Sequence, residues 1–431
     1  MQESAKTAFR NIIGAAATAS SAHNWPADAL CGIADLDTER DARIIALAPF
    51  SVLTDALANI PLVCTRIGTT QEVLTRIGLQ LVYEYFKAAG GVHVDEALID
   101  RTWANFLAEM EEANWTSRGV ANLRNFSAQI MSIDLGDGIS IRGRKFDELR
   151  ALGFSSPVLD RLKSDWGSGG ASSFVIVAET ASPKKPSHPY NLVAFDSAGP
   201  WTKAIRAIGT LRLLAPGDLG LGPMWVVRAA RFEFGMGGVM SVGVSIPSPG
   251  TPYLWAEEIG NNYASLYGEL AKLENVGYDR APGNLNLALR GFMSSYDRWP
   301  VLPDSKLVDL VTALEAILGV DKELAFTVAF RVASLLAGDD GERSTMFKTV
   351  KGFYDTRSAI VHGSKLKLTH LRHLEKADEL TGLVRRLLRA FVAFAARDEQ
   401  EYSNTFFEKD LDAALMSAAE RGKLRRSLGL G

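Results

Sequence analysis

Apolar residues recur at the 3.6-residue spacing of an α-helix through most of residues 284–400. Five such segments follow one another with short breaks, at 284–299, 305–319, 323–338, 343–363 and 368–400. Each carries one apolar stripe, and most end near Gly or Pro, which stop helices. A helix with one apolar face must bury it against a neighbour, and short connections favour antiparallel neighbours. The pattern therefore predicts an antiparallel helical bundle, which we assign to residues 256–431.

The sequence before this bundle divides into two regions with different residue patterns. Residues 1–115 are predicted to be mainly helical, with strong helical periodicity at 74–91 and 95–115. Within them the apolar run 44–63 contains Pro49, Asp55 and Pro61, so it predicts two short buried helices rather than a membrane span.

Residues 116–255 are richer in Gly, Pro and β-branched residues. Strands are predicted at 172–180, 191–197, 224–234 and 239–246. The Gly-rich segments 166–173 and 235–240 lack the flanking residues of a phosphate-binding or dinucleotide-binding loop. The sequence therefore predicts a multidomain α+β protein, predominantly α, with a helical N-terminal region, a mixed α/β middle region and a C-terminal bundle.

Composition narrows the class of protein without naming a function. The 431 residues carry 47 Lys and Arg against 50 Asp and Glu, a net charge of −3. The two cysteines, Cys31 and Cys64, have no partner at metal-ligand spacing, and so few cysteines exclude a disulfide framework. We expect a cytoplasmic protein outside the membrane, with no cofactor and no metal.

The stretch YDTRSAIVHG, at 354–363, places an arginine and a histidine at the end of one predicted helix. Arg357 and His362 are five positions apart, so on a rigid helix their side chains diverge by roughly 140°. Gly363 can take the left-handed conformation that ends a helix, which lets the flexible arginine and the terminal histidine line one groove. Histidine transfers protons near neutral pH, and the guanidinium fork binds phosphate. The pair can therefore cleave RNA without a metal, by helping a 2′-hydroxyl to attack the adjacent phosphate.

A structural interpretation of the same residues stays open. The spacing of Arg357 and His362 is common by chance, the histidine can cap a helix end, and the arginine can pair with Asp355 or Glu375. Glu315 can orient the Arg357/His362 pair or bind Arg331 instead. Tyr354 can stack on a base or pack in the core, and Lys365 can hold a phosphate or lie in a solvated loop.

A histidine pair elsewhere in the segment is a weaker candidate for a site. His370 and His373 have the i, i+3 spacing of a zinc site, but no third ligand stands out, and we predict no metal there.

Three segments taken together resemble the Apea-like branch of the HEPN superfamily. The resemblance covers roughly residues 284–400, in a D-x-x-x-x-L-E-x-L helix, an R-x-A-x-L-L helix and a final Y-x-x-R-S-x-x-V-H-G. The matching positions are Asp309, Leu314, Glu315 and Ile317, then Arg331, Ala333, Leu335 and Leu336, then Tyr354, Arg357, Ser358, Val361, His362 and Gly363.

The resemblance implies a HEPN-like bundle that acts as a homodimeric, metal-independent endoribonuclease. Arg357 and His362 would be catalytic, with Ser358 at the position where many members carry Asn, Asp or His. Tyr354, Glu315, Asp309 and Lys365 would support the site or bind RNA. Related proteins act in bacterial antiphage defence through abortive infection, so the resemblance also implies a toxin-like effector.

Residues 1–255 contain no catalytic motif, and we interpret them as regulatory. They would hold the nuclease inactive or respond to a phage-derived or protein trigger. A second interpretation comes from a different class: the bundle is a non-catalytic module for dimerisation or interaction within a sensor or adaptor protein, which the weaker Ser358 leaves open.

Overall fold

The computed structural model describes residues 1–22, 39–154, 156–164, 171–183, 198–229, 240–242, 250–275, 283–297, 302–318, 324–398 and 411–430. These ranges contain eighteen helices and eight short or medium strands, so the chain is predominantly α with a smaller β part. The predicted fold class is confirmed at this level.

Six helices build the first part of the chain. They are α1 Gln2–Ala22, α2 Glu39–Ile45, α3 Ala48–Ala58, α4 Pro61–Arg66, α5 Gln71–Ala89 and α6 Glu96–Glu111. Their apolar faces enclose a core that lies wholly within residues 5–110, and the half-buried Trp115 packs against it. The run 44–63 is divided among short helices, as predicted. None of the helices in the described ranges is long and apolar enough to cross a bilayer.

A six-stranded antiparallel sheet follows, in the order β3-β4-β5-β1-β6-β7. The strands are β1 Asn114–Arg124, β2 Phe126–Ser127, β3 Ser132–Gly136, β4 Ile139–Gly143, β5 Ala171–Pro183, β6 Gly220–Ala229, β7 Met240–Val242 and β8 Tyr253–Leu254, with β2 and β8 forming a separate parallel pair. The segments predicted at 172–180, 224–234 and 239–246 cover most of β5, most of β6 and all of β7. The strand predicted at 191–197, most of both Gly-rich segments and Cys31 lie outside the described residues.

Helices cover both faces of this sheet. The helices in this part are α7 Phe146–Ala151, α8 Ser156–Ser164 and α9 Ala198–Leu214. Successive residues of a strand point to opposite faces. Val175 and Val177 therefore pack with α7 and α8, while Ile176 and Ala178 pack with α9.

The remaining helices enclose the largest core of the molecule. They are α10 Glu257–Asn275, α11 Gly283–Asp297, α12 Pro303–Leu318, α13 Leu324–Leu336, α14 Asp340–Val361, α15 Leu368–Glu375, α16 Ala377–Arg397, α17 Leu411–Met416 and α18 Ala418–Ser427. The single helix predicted at 368–400 is wrong: Lys376, with φ −98° and ψ 17°, separates α15 from α16. The periodicity of the sequence continues across the break because Leu374 of α15 packs against the bundle core, as the apolar face of α16 does.

Two helices belong to the sheet core and the bundle core at once. Tyr263 and Tyr267 of α10 pack under the sheet, whereas Leu266 and Leu270 of the same helix enter the bundle. The C-terminal end of α9 behaves similarly through Leu213. The predicted boundary at 255 remains a prediction, since α10 is shared between the regions on either side of it.

Arg212, which is 2 % exposed, fastens this junction. Its Nε donates to the Leu219 carbonyl at 2.9 Å, and its two terminal nitrogens donate to Asp297 of α11 at 3.0 and 2.6 Å. A bidentate arginine–carboxylate pair is a strong and directional contact. The side chain therefore ties α9 to the chain before β6 and to the bundle.

Replacing Arg212 by Met is expected to lower the free energy of unfolding by about 1–3 kcal/mol, because the buried Leu219 carbonyl loses its donor while Asp297 still contacts water. Urea denaturation measures the change. Lys272→Met is the control, since Lys272 is exposed on the neighbouring α10, and we expect it to change stability by less than about 0.5 kcal/mol. Equal effects of the two substitutions would contradict the role of Arg212.

Candidate functional site

The arginine–histidine motif lies where α14 ends. Asp339 caps the start of the helix by accepting from the Glu342 N–H at 2.8 Å. At the other end Gly363 has φ 63°, as predicted, and donates to the Ile360 carbonyl at 3.0 Å. Ser364 donates to the Ala359 carbonyl at 2.8 Å, which completes a Schellman motif. The chain turns away immediately after His362 and leaves that side chain exposed.

Arg357 is directed to the neighbouring helix α12. Its terminal nitrogen contacts Glu315 Oε2 at 3.5 Å, and its guanidinium carbon lies 5.9 Å from the centre of the Tyr354 ring. The Arg357 and Glu315 side chains are 23 % and 17 % exposed, so the pair is largely shielded from water. The fold thus brings together Glu315, Tyr354 and Arg357, three of the predicted site residues.

This pair differs from the structural arginine pairs of the molecule. Arg331 contacts Asp412 through two nitrogens at 2.8 and 3.0 Å, whereas Arg357 contacts Glu315 through one nitrogen at 3.5 Å. Arg357 Nε and Glu315 Oε1 are buried without a hydrogen-bond partner. A single contact at 3.5 Å is weaker than a close bidentate pair. Arg357 is therefore held loosely by Glu315, and its side chain remains 23 % exposed.

Tyr354 is a neutral hydrogen-bonding group in this setting. Burial, and then its interaction with the Glu315 carboxylate, raise the pKa of Tyr354 to about 12. The phenol stays protonated at neutral pH and helps to hold Glu315 in place. Tyr354 is 8 % exposed, so it also packs in the bundle core, one of the two roles considered from the sequence.

The other predicted residues are more scattered. Asp309 is buried on α12, Lys365 is exposed beyond the helix end, and Ser358 is half-buried. The Ser358 carbonyl accepts from the His362 N–H at 3.1 Å. The His362 imidazole makes no hydrogen bond or ion pair within the described part of the chain. Glu315 binds Arg357 rather than Arg331.

His373 was not among the predicted site residues, yet it holds α15 against the motif helix. The Thr356 hydroxyl donates to the Gly352 carbonyl at 2.7 Å, so the 3.1 Å contact with His373 Nδ1 has the imidazole as donor. No side chain of α15 is buried. The second histidine, His370, accepts from the Lys367 N–H at 3.3 Å and caps α15. Both histidines of the discounted zinc pair therefore have structural partners.

Gly352 is the residue that lets His373 approach. A Cβ at this position would lie 2.3 Å from His373 Cε1 and 2.4 Å from Nε2, well inside contact distance. The signal available in the sequence is a glycine in the interior of a helix, which costs stability unless a neighbour needs the space.

Gly352→Ala is expected to displace His373 and to destabilise the docking of α15 by about 1–3 kcal/mol, as overpacking generally does. Amide hydrogen exchange along α15 measures the loss of protection. Gly382→Ala is the matched control on α16, because nothing lies within 4 Å of the added methyl group. We expect that substitution to be neutral or stabilising by up to about 1 kcal/mol. Unchanged protection of α15 in Gly352→Ala would contradict this account.

The docking of α15 is also expected to depend on pH. Burial, followed by the charges of His370 and Lys376, lowers the pKa of His373, and Asp355 and Glu379 only partly oppose this. The folded state therefore binds fewer protons than the unfolded state. The contribution of neutral His373 to stability is complete above the ordinary histidine pKa of about 6.5. It is lost as the pH falls through the lower pKa that His373 has in the folded state.

Amide exchange of α15, corrected for intrinsic rates, should show less protection at about pH 5 than at about pH 7.5. His373→Gln should remove this difference, because glutamine does not titrate. His362→Gln is the control and should retain it, since the exposed His362 side chain does not dock α15. The same pH dependence in all three proteins would refute the assignment to His373.

No protein-family model matches this chain, and no curated protein or solved structure matches it. The candidate functional residues are therefore those that the sequence and the fold indicate. They are a loosely held arginine over a tyrosine, a carboxylate that orients it, and an exposed histidine at the end of the same helix.

Proposed function

We propose that the chain is a metal-independent endoribonuclease. The observation that carries the proposal is Arg357, which is held through one nitrogen at 3.5 Å and remains partly exposed. The exposed His362 ends the same helix. A phosphate-binding group and a proton-transfer group are the minimum that RNA cleavage by an internal nucleophile requires.

The reaction needs only groups of the protein and of the RNA. The 2′-oxygen attacks the adjacent phosphorus, its proton passes to a base, and the bond from phosphorus to the 5′-oxygen breaks. A proton returned to the 5′-oxygen completes a 2′,3′-cyclic phosphate and a free 5′-hydroxyl. His362 is the proton-transfer group, and Arg357 binds the non-bridging phosphate oxygens as negative charge develops on them.

Three neighbours have supporting roles in this proposal. Glu315 is a positioning residue, because it reaches the substrate only through the orientation of Arg357. Tyr354, a neutral donor at neutral pH, restrains the Glu315 carboxylate. Ser358 and Lys365 can hydrogen-bond to the RNA backbone from the helix end and the following turn.

A second copy of the chain would complete the site. One histidine cannot at the same instant accept a proton and donate another, whereas two facing motifs supply both functions. Val361 lies in the motif, Leu368 and Leu371 lie on the following helix α15, and the three are 51 %, 65 % and 45 % exposed. Exposed apolar residues at this place suit an isologous homodimer through the C-terminal bundle.

The biological role that we propose follows from the resemblance to HEPN proteins. The chain would act in the bacterial cytoplasm as an antiphage effector, with residues 1–255 restraining it until a phage-derived or protein trigger binds. The helices α9 and α10, shared between the sheet and the bundle, offer a route by which such a trigger can reach the nuclease.

The second candidate function is a non-catalytic interaction module. The same exposed Val361, Leu368 and Leu371 favour it, since they suit docking whether or not chemistry follows. Ser358, a weaker hydrogen-bonding residue than the usual Asn, Asp or His, is consistent with it. Cleavage separates the two functions, because only the nuclease needs His362.

Labelled single-stranded RNA in the presence of EDTA provides the test. Wild type is expected to produce fragments with 2′,3′-cyclic phosphate ends. His362→Ala is expected to reduce the rate by about 10²–10⁴ through loss of proton transfer. Arg357→Met is expected to reduce it by about 10²–10³ through loss of charge stabilisation.

Lys348→Ala is the matched control, an exposed cation on the same helix, and should cleave at the wild-type rate. Circular dichroism and sedimentation establish that every variant is folded and has the wild-type oligomeric state. Full activity of a folded His362→Ala protein would rule out the proposed chemistry. A folded wild-type dimer that cleaves no RNA, in infected cells as well as in solution, would favour the interaction module.

A further inference from the structure

A second polar cleft lies between α10, α16 and the turn 428–430 that follows α18. Its volume is about 380 Å³, within the range of roughly 300–1,000 Å³ typical of small-molecule sites. Arg386 and Arg389 of α16 line it, together with Asn262, Ser265 and Glu269 of α10. The catalytic proposal uses none of these residues.

The two arginines are available to a ligand. Both are exposed, and neither makes a hydrogen bond or an ion pair with any residue that the structure describes. In contrast, Arg385 beside them donates to the Arg212 carbonyl at 2.8 Å and to the Tyr296 hydroxyl at 3.0 Å. Within five positions of α16, one arginine is thus structural and two face the cleft. Guanidinium groups next to each other suit phosphate oxygens.

The turn 428–430 forms the third wall of the cleft, and hydrogen bonds hold it in place. Arg425 donates to the Leu430 carbonyl at 3.0 Å and also to the Ala337 carbonyl. The Leu430 N–H donates back to the Arg425 carbonyl at 2.7 Å. These bonds hold the turn 428–430 against the bundle, so the cleft is a preformed feature of the folded chain.

The remaining lining fits the other parts of a nucleotide. Apolar side chains supply surface for a base, namely Leu214, Leu266, Ala390, Ala393, Leu428 and Leu430. Glu269 accepts from the Ser265 hydroxyl at 3.2 Å, and its carboxylate can accept from ribose hydroxyls or a base amino group.

We propose that this cleft binds a nucleotide, with its phosphate on Arg386 and Arg389. The nucleotide has two possible sources, a free nucleotide or one residue of an RNA strand. The proposal goes beyond the nuclease and does not need catalysis.

Calorimetric titration with AMP and anisotropy with a labelled 2′-O-methyl RNA test the two sources on the full-length protein. The methylated RNA lacks the attacking hydroxyl, so failure to bind is distinguishable from failure to cleave. Arg386→Gln and Arg389→Gln are each expected to lower the affinity for the probe that wild type binds by about tenfold or more. This is the usual effect of losing one charge-assisted hydrogen bond. Arg101→Gln, the same change at an exposed position of α6, should bind like wild type.

The phosphate requirement has its own control. Adenosine, which lacks the phosphate, should bind at least about tenfold more weakly than AMP if AMP is the ligand. Binding of AMP identifies a free nucleotide as the source, and binding of the RNA alone identifies the RNA backbone. Saturable binding of neither probe would overturn the proposal, as would equal losses in Arg386→Gln and Arg101→Gln.

Discussion

The burial of α12 is the constraint on which the candidate site depends. This helix packs against α11, α13, α14, α15 and α16, and Leu307, Leu310, Leu314 and Ile317 are fully enclosed. A carboxylate on such a helix loses much of its hydration, which is costly unless a cation or donors replace the water. Glu315 therefore needs a partner from a neighbouring helix, and α14 supplies Arg357.

The way in which that need is met leaves chemistry available. A close bidentate pair, such as Arg331 with Asp412, uses the guanidinium fork completely. Arg357 gives Glu315 one long contact and stays partly exposed. An arginine that is oriented but not fully paired can still bind a phosphate. The Schellman motif after His362 ends the same helix and leaves the histidine side chain exposed.

The sheet and the bundle are joined by the continuous chain and also by helices that pack in both cores. Helices α9 and α10 contribute side chains to both cores, and Arg212 of α9 binds Asp297 of α11. The cleft with Arg386 and Arg389 uses the outer side of α10 and of α16. A ligand there contacts helices that also carry the bundle core, so its binding and the bundle's stability are linked by mass action.

Helices α11 to α14, the left-handed Gly363 and most of the strand β5 were predictable from the sequence, because apolar period, helix-stop residues and β-branched runs act locally. Strands β1, β3 and β4 were not predicted. In these strands the alternation of apolar and polar residues is poor or the strand is short. Their pairing depends on partners distant in the chain. The break at Lys376 was not predicted for a related reason, since the apolar periodicity of the sequence continues through it.

Within the site, the sequence identified Arg357, His362, Glu315 and Tyr354 as candidates but left their partners open. Only the tertiary structure decided that Glu315 contacts Arg357 while Arg331 binds Asp412, and that His373 docks on Gly352. The two arginine contacts join positions 42 and 81 residues apart. Which side chains meet across helices depends on packing angles and rotations, and a one-dimensional period carries no information on those.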